Sequence, residues 1–266
     1  MKRIRDWTAV LVVVSASATV AYAQLTLPAE NHYKLYTTSA PLSLSGHGVV
    51  LTDQFGTFAI EPGSYERFGF ANPTAKTHDG VTYPILDPVA HQMWWRFTYP
   101  PTQPSRTVLV TDQFGTGMVT LGNPLFLVNP ALKNPPVPPP PPPVRNHYVC
   151  YSVIGSQPLN KAVTLVDQWG TRSYVVVTPR LLCNPVQKYD SATNTNYPVI
   201  DPKAHLMCYE IRETVPGPMN NVTASDQFGV WTFQVLPGTL LCVPALKDNP
   251  VSNRSSTWGQ IKALYH

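Results

Sequence analysis

Four histidines and four aspartates recur along this chain at nearly constant spacing. His32 precedes Asp53 by 21 residues, His91 precedes Asp112 by 21, His147 precedes Asp167 by 20 and His205 precedes Asp226 by 21. Such a pair supplies the base and the orienting acid of a hydrolytic triad, but a hydrolase concentrates it at one site beside a nucleophile. Fourfold recurrence at element boundaries fits hydrogen bonds that tie turns to strand ends better than catalysis. Asp87-Pro88 with His91, and Asp201-Pro202 with His205, offer two metal ligands each without further acidic neighbours, and an Asp-Pro turn is the simpler reading. No Gly-x-Ser-x-Gly, His-Glu-x-x-His or Gly-rich phosphate loop occurs. The expectation is no enzyme, no catalytic residue, no metal and no cofactor.

All four cysteines lie in the second half. Cys150 and Cys183 are 33 residues apart, Cys208 and Cys242 are 34 apart, and Leu182-Cys183-Asn184-Pro185 resembles Leu241-Cys242-Val243-Pro244. In an oxidising compartment an even set reads as disulfides, with three connectivities open. Repeat logic favours Cys150–Cys183 and Cys208–Cys242. Zinc fits poorly, because the spacings are long and no Cys-x-x-Cys occurs. The first-half counterparts are apolar: Leu35 and Ala71 for one pair, Trp94 and Val128 for the other. Reduction is then expected to loosen the second half and spare the first.

The elements that must position these residues are marked by a four-residue turn. It reads Asp53-Gln54-Phe55-Gly56, Asp112-Gln113-Phe114-Gly115, Asp167-Gln168-Trp169-Gly170 and Asp226-Gln227-Phe228-Gly229. Short β-like runs flank each copy, which is a hairpin signal. Asp suits the first turn position because its carboxylate accepts from the turn's own amides, and Gly suits the fourth, where a left-handed residue permits a bulge.

Longer repeats frame these turns. Asn31-His32-Tyr33 recurs as Asn146-His147-Tyr148, Tyr83 to His91 recurs as Tyr197 to His205, and Pro130-Ala131-Leu132-Lys133 recurs as Pro244-Ala245-Leu246-Lys247. The two halves therefore read as copies of one domain, and the recurring His-to-Asp spacing makes each half two related modules. The expected fold is all-β: two tandem β-sandwich or barrel-like domains, over 24–134 and 145–249, the second carrying both disulfides. Residues 135–144 read as a polyproline linker. At about 3.1 Å per residue, its nine central residues make a semi-rigid strut of roughly 28 Å. A spacer is the favoured role, with a docking peptide as the alternative.

The ends fall outside these repeats. Lys2, Arg3 and Arg5, an apolar run from Trp7 and Ala21-Tyr22-Ala23 read as a secretory signal over 1–23, cleaved after Ala23. No later stretch has the length and apolarity of a transmembrane segment. The formal charge of +4 falls to +2 without Lys2, Arg3, Arg5 and Asp6. With no basic stripe, nucleic acid is not an expected partner. Residues 250–266 read as a C-terminal tail in which Trp258, Ile261 and Tyr265 would share a helix face.

Taken together, His147-Tyr148-Val149-Cys150-Tyr151, Asp167-Gln168-Trp169-Gly170 and Leu182-Cys183-Asn184-Pro185 resemble a family of secreted bacterial repeat domains of unknown function. That family carries His-Tyr-x-Cys-Tyr, Asp-Gln-Phe-Gly and Leu-Cys-x-Pro segments in tandem. The resemblance implies a domain type and no activity.

The aromatics are the remaining lead. Phe55, Phe114, Trp169 and Phe228 occupy one turn position, where they either plug the core or face a ligand, and the core is favoured. Because strand side chains alternate, one of Trp94 and Trp95 should face outward, making Trp95 the best candidate for a binding face. The reading is a secreted or envelope-associated, periplasmic or cell-surface, non-enzymatic structural or binding module. Its partner would be a protein or polysaccharide of the envelope. The rivals are a carbohydrate-binding protein using exposed aromatics and an extracellular hydrolase.

Overall fold

The computed structural model describes residues 27–213, 217 and 219–248. The signal segment and the C-terminal tail lie outside these residues. Among the described residues, fifteen strands follow one another. They are β1 (His32–Thr38), β2 (Val49–Asp53), β3 (Gly56–Ile60), β4 (Tyr65–His78), β5 (Val81–Tyr83), β6 (His91–Phe97), β7 (Arg106–Asp112) and β8 (Gly115–Lys133). The second half adds β9 (His147–Ile154), β10 (Lys161–Asp167), β11 (Gly170–Asp190), β12 (Thr195–Tyr197), β13 (His205–Glu213), β14 (Asn220–Asp226) and β15 (Gly229–Lys247). The fold is all-β, as the alternating patterns and abundant proline indicate.

Each module gives one short strand beginning at its histidine, one hairpin and one long strand that leaves the hairpin. We call the modules A to D, with long strands β4, β8, β11 and β15. The short and long strands pair in the order β1-β4-β6-β8-β9-β11-β13-β15, and β15 pairs back to β1. Eight antiparallel strands thus close a single barrel.

This differs from two separate domains joined by a strut. A half alone would own four ring strands, with β1 and β8, or β9 and β15, as open edges. Unpaired edges are costly and sticky, and closure removes them. Here β8 pairs with β9, as in Val128↔Tyr148, and β15 pairs with β1, as in Cys242↔Tyr33. The proline-rich segment 135–144 is therefore a connection between neighbouring strands. It holds no domains apart.

Two apolar layers follow from strand alternation. One face of the ring carries Leu35, Ala71, Trp94, Val128, Cys150, Cys183, Cys208 and Cys242, one residue from each ring strand, all 0–1% exposed. No element covers that face, so these residues can be so buried only by meeting inside the ring. The opposite face bears Tyr36, Trp95, Tyr151 and Tyr209, and the hairpins cover it. Both Trp94 and Trp95 are therefore fully buried. The expectation that Trp95 faces solvent fails because the ring is clad on its outer side: Trp95 meets Phe228 and Trp231 of module D.

The disulfides belong to the inner layer. Cys150–Cys183 and Cys208–Cys242 each link directly opposed residues of paired strands, with Cα atoms 3.9 Å apart. Leu35↔Ala71 and Trp94↔Val128 are the matching pairs in modules A and B, where apolar contact replaces the bond. Each long strand also carries a proline, Pro73, Pro130, Pro185 or Pro244, two residues past the end of one neighbouring ladder. A missing N–H costs little where only one partner strand remains.

The turns have Asp and Gly directly opposed, as in Asp53↔Gly56 and Asp226↔Gly229, with continuous register and no bulge. The glycine φ angles of +114° to +145° still lie where a side chain is disfavoured.

Two outcomes follow. Residues 145–249 expressed alone should run as a dimer or an unfolded chain by light scattering and circular dichroism, and a stable monomer would contradict ring closure. Reduction should move a single cooperative calorimetric transition of the whole chain, because both halves share one core. Loops of 33 and 34 residues imply about 3–4 kcal/mol per bond, hence a shift of about 10 °C or more.

Candidate functional site: the four junctions between modules

The turn aspartates do two jobs each. Oδ1 accepts the backbone N–H two residues on: Phe55, Phe114, Trp169 and Phe228, at 2.7 to 3.0 Å. Oδ2 reaches across to the module two places away. Tyr151 and Asn184 of module C donate to Asp53, each at 3.0 Å. Tyr209 of module D donates to Asp112 at 2.5 Å. Tyr36 of module A donates to Asp167. The Trp95 indole and Asn129 of module B donate to Asp226 at 2.7 and 3.0 Å. The hairpin strands are aimed there by pairing: β2 with β11, β7 with β15, β10 with β4 and β14 with β8. Burial raises the phenol of Tyr36, Tyr151 and Tyr209, and the nearby carboxylate adds to that, so these hydroxyls are fixed as donors.

The turn aromatics cover the same contacts. Phe55 and Phe228 are buried, while Phe114 and Trp169 are half-buried and pack on the core. Phe55 meets Tyr151 edge-on at 5.2 Å, and Phe114 meets Tyr209 at 5.1 Å. All four pack on the core, and Phe114 and Trp169 keep part of their surface exposed.

The His and Asp of one module are not brought together. Two of the histidines face the next module's turn glutamine. His32 Nε2 lies 2.7 Å from Gln113 Oε1, and Gln227 lies beside His147. The Asp-Pro segments also form turns: Asp87 accepts from Val89 and Asp201 from Lys203. Asn31 and Asn146 hold those loops through their carbonyl and amide groups. Among the described residues, no three His, Cys, Asp or Glu side chains gather in a metal-binding cluster.

Sequence reasoning missed the lysines. Lys76, Lys133, Lys188 and Lys247 stand at or within two residues of the ends of the long strands of modules A to D, and each Nζ sits over the turn aromatic of the next module. The distances are 4.5 Å to Phe114, 5.3 Å to Trp169, 4.6 Å to Phe228 and 4.8 Å to Phe55. Each also feels that turn's aspartate: Asp112, Asp167, Asp226 and Asp53. The signal was present as Asn-Pro-x-x-Lys at Asn72, Asn129 and Asn184, with Val243 in the fourth copy.

A junction is thus a histidine and lysine from one module against a Gln-aromatic pair and an aspartate from the next. Burial lowers Lys188 to about 7 and Lys76 to about 8. Burial likewise lowers His32 and His91 to about 4 and His205 to about 3. Nδ1 of His91 and of His205 has no hydrogen-bond partner. Two cavities adjoin junctions: one of about 340 Å3 at His91 and Gln168, and one of about 690 Å3 at His205, Lys247 and Gln54.

Asp112→Ala should cost about 2–4 kcal/mol in urea unfolding, since it strands the Tyr209 hydroxyl and the turn amide, whereas Tyr209→Phe should cost about 1. The imidazoles give a pH signature. An unfolded histidine takes its proton near 6.5, and these take it only near 4, so the unfolded chain binds more protons between. The urea midpoint should therefore fall as pH drops from 6.5 to 4, with Asp112, raised by burial, opposing in part. Lys188 acts at the other end. Stability should rise with pH above 7, because the unfolded lysine keeps its proton to above 10, and Lys188→Met should flatten that slope.

No curated protein and no solved structure matches the chain. A family model described as a repeat of unknown function, DUF7450, matches residues 91–244, from the histidine that opens module B to the proline near the end of module D. That span covers more than half of the sequence and carries three of the four turns, and the chain belongs to this repeat family.

Proposed function

We propose that this protein is a secreted or envelope-associated module that binds or scaffolds without catalysing a reaction. The carrying observation is that all four recurring aspartates are engaged in holding one module to another, through a turn amide and a buried donor from across the ring. A catalytic carboxylate must be free to meet substrate. Two disulfides in the inner layer support an extracellular setting. The same resemblance and the amino-terminal segment support bacterial secretion. The sugar-binding reading depended on outward turn aromatics and Trp95; the burial of Trp95, Phe55 and Phe228 weighs against it, while Phe114 and Trp169 are half-buried.

The partner would be a protein or polysaccharide of the envelope. A groove of about 340 Å3 runs between the module B hairpin and the start of module C, lined in part by Phe114, Met118, Val153, Ile154 and Leu159. Met118 and Ile154 are 59% and 52% exposed there, a cost in water that a partner would relieve. Residues 24–266 should capture one partner from envelope protein or polysaccharide fractions, and Met118→Asp with Ile154→Asp should lower capture about tenfold without changing the melting temperature. Unchanged capture would remove the groove. Turnover of an envelope substrate without stable binding would overturn the reading.

A further inference from the structure

Two of the four junctions carry a tyrosine cap from the chain itself. Tyr83 on β5 lies 5.3 Å from the His32 ring and 4.5 Å from Lys76 Nζ. Tyr197 on β12 lies 4.9 Å from the His147 ring and 4.6 Å from Lys188 Nζ. Both rings are delivered by a short strand that pairs with the end of a long one, Lys76↔Tyr83 and Lys188↔Tyr197. Under these caps Lys76 and Lys188 are fully buried, whereas Lys133 and Lys247 are half-buried.

At the junction between modules B and C the chain departs from this plan. After Lys133 and Asn134 it runs into Pro135-Pro136-Val137 and six further prolines. Proline has no N–H to give a ladder, so the segment forms no equivalent of β5 and presents no tyrosine. The cavity of about 340 Å3 lies at this junction, walled by Pro73, Ala75, Ile85 and Pro88, with His91 and Gln168 at its polar side. The His91 ring is held in place by stacking on Phe70 at 5.4 Å. A larger cavity at His205 and Lys247 marks the other junction that lacks a capping strand among the described residues.

We propose that the cavity beside His91 and Gln168 is a binding site for the phenolic ring of a small molecule, which would pack against His91 as Tyr83 packs against His32 and Tyr197 against His147. At two of the four junctions the chain itself places a tyrosine ring beside the histidine. Apolar proline, alanine and isoleucine walls suit the ring faces, and the His91 ring offers the edge that His32 and His147 offer to Tyr83 and Tyr197. This site is separate from the groove assigned above to a macromolecular partner.

The tyrosine side-chain analogue p-cresol tests it, with histidine ring resonances read by NMR on residues 24–266. The expected result is a saturable shift of His91 with a Kd of about 1 mM, as befits so small a ligand. The shift should weaken about tenfold in Ile85→Trp, which fills the cavity from a loop, and with 4-methylcyclohexanol, which has the bulk but no aromatic ring. No saturable His91 shift in the wild-type chain overturns the proposal, whether or not the variant folds. Equal binding of 4-methylcyclohexanol overturns the aromatic class, and an unchanged shift in a folded Ile85→Trp overturns the location.

Discussion

An antiparallel sheet of four strands leaves two edges, and in this protein both edges of each half find their partners in the other half. That constraint shapes the rest. Closing eight strands into one ring puts Leu35, Ala71, Trp94, Val128 and the four cysteines into a single inner layer. It also fixes how far each long strand projects beyond its neighbour, and the projecting ends are where the hairpins dock. Each hairpin pairs with a long strand two modules away, so no module covers its own outer face. The cladding is as mutual as the ring.

The polar groups follow the same logic. A buried carboxylate is tolerated when its lone pairs are filled, and each turn aspartate meets that condition with a local amide and a distant donor. The strand-end lysines are held over aromatic faces near those carboxylates, where burial disfavours their charge. Residue types that elsewhere mark active sites here fix the relation between modules. Lys34 shows this again: it is buried 3.5 Å from Asp167 and lies over the Tyr36 and Tyr174 rings.

Much of the fold was legible because the repeats are written in turn chemistry. Asp and Gly at fixed places in Asp-Gln-Phe-Gly predict hairpins, and aligning the modules put Leu35 with Ala71 and Trp94 with Val128, pairs that are register partners in the barrel. Ring closure was not legible. A repeat reveals that units are alike and says nothing of whether they pair within a half or across it, since β8–β9 and β15–β1 are long-range choices. The proline run pointed the wrong way, because extended stiffness reads as distance even where the strands it joins lie side by side. Trp95 was misjudged for a related reason: strand alternation assigns faces, but only tertiary cladding decides whether the second face is wet. The lysines were visible in Asn-Pro-x-x-Lys but lacked meaning until their rings were known to come from the next module.

The proline run has one more implication. Cohesion between the halves rests on the β8–β9 and β15–β1 ladders and on hairpins that dock reciprocally, and the peptide bonds of 135–144 contribute little to it. Val137 and Val144 are 97% and 84% exposed, so this segment is an accessible seam. A nick there would yield two polypeptides that remain one particle, interlocked by hairpins crossing in both directions. Covalent continuity and structural integrity are therefore separable in this molecule, and an intact barrel need not mean an uncut chain.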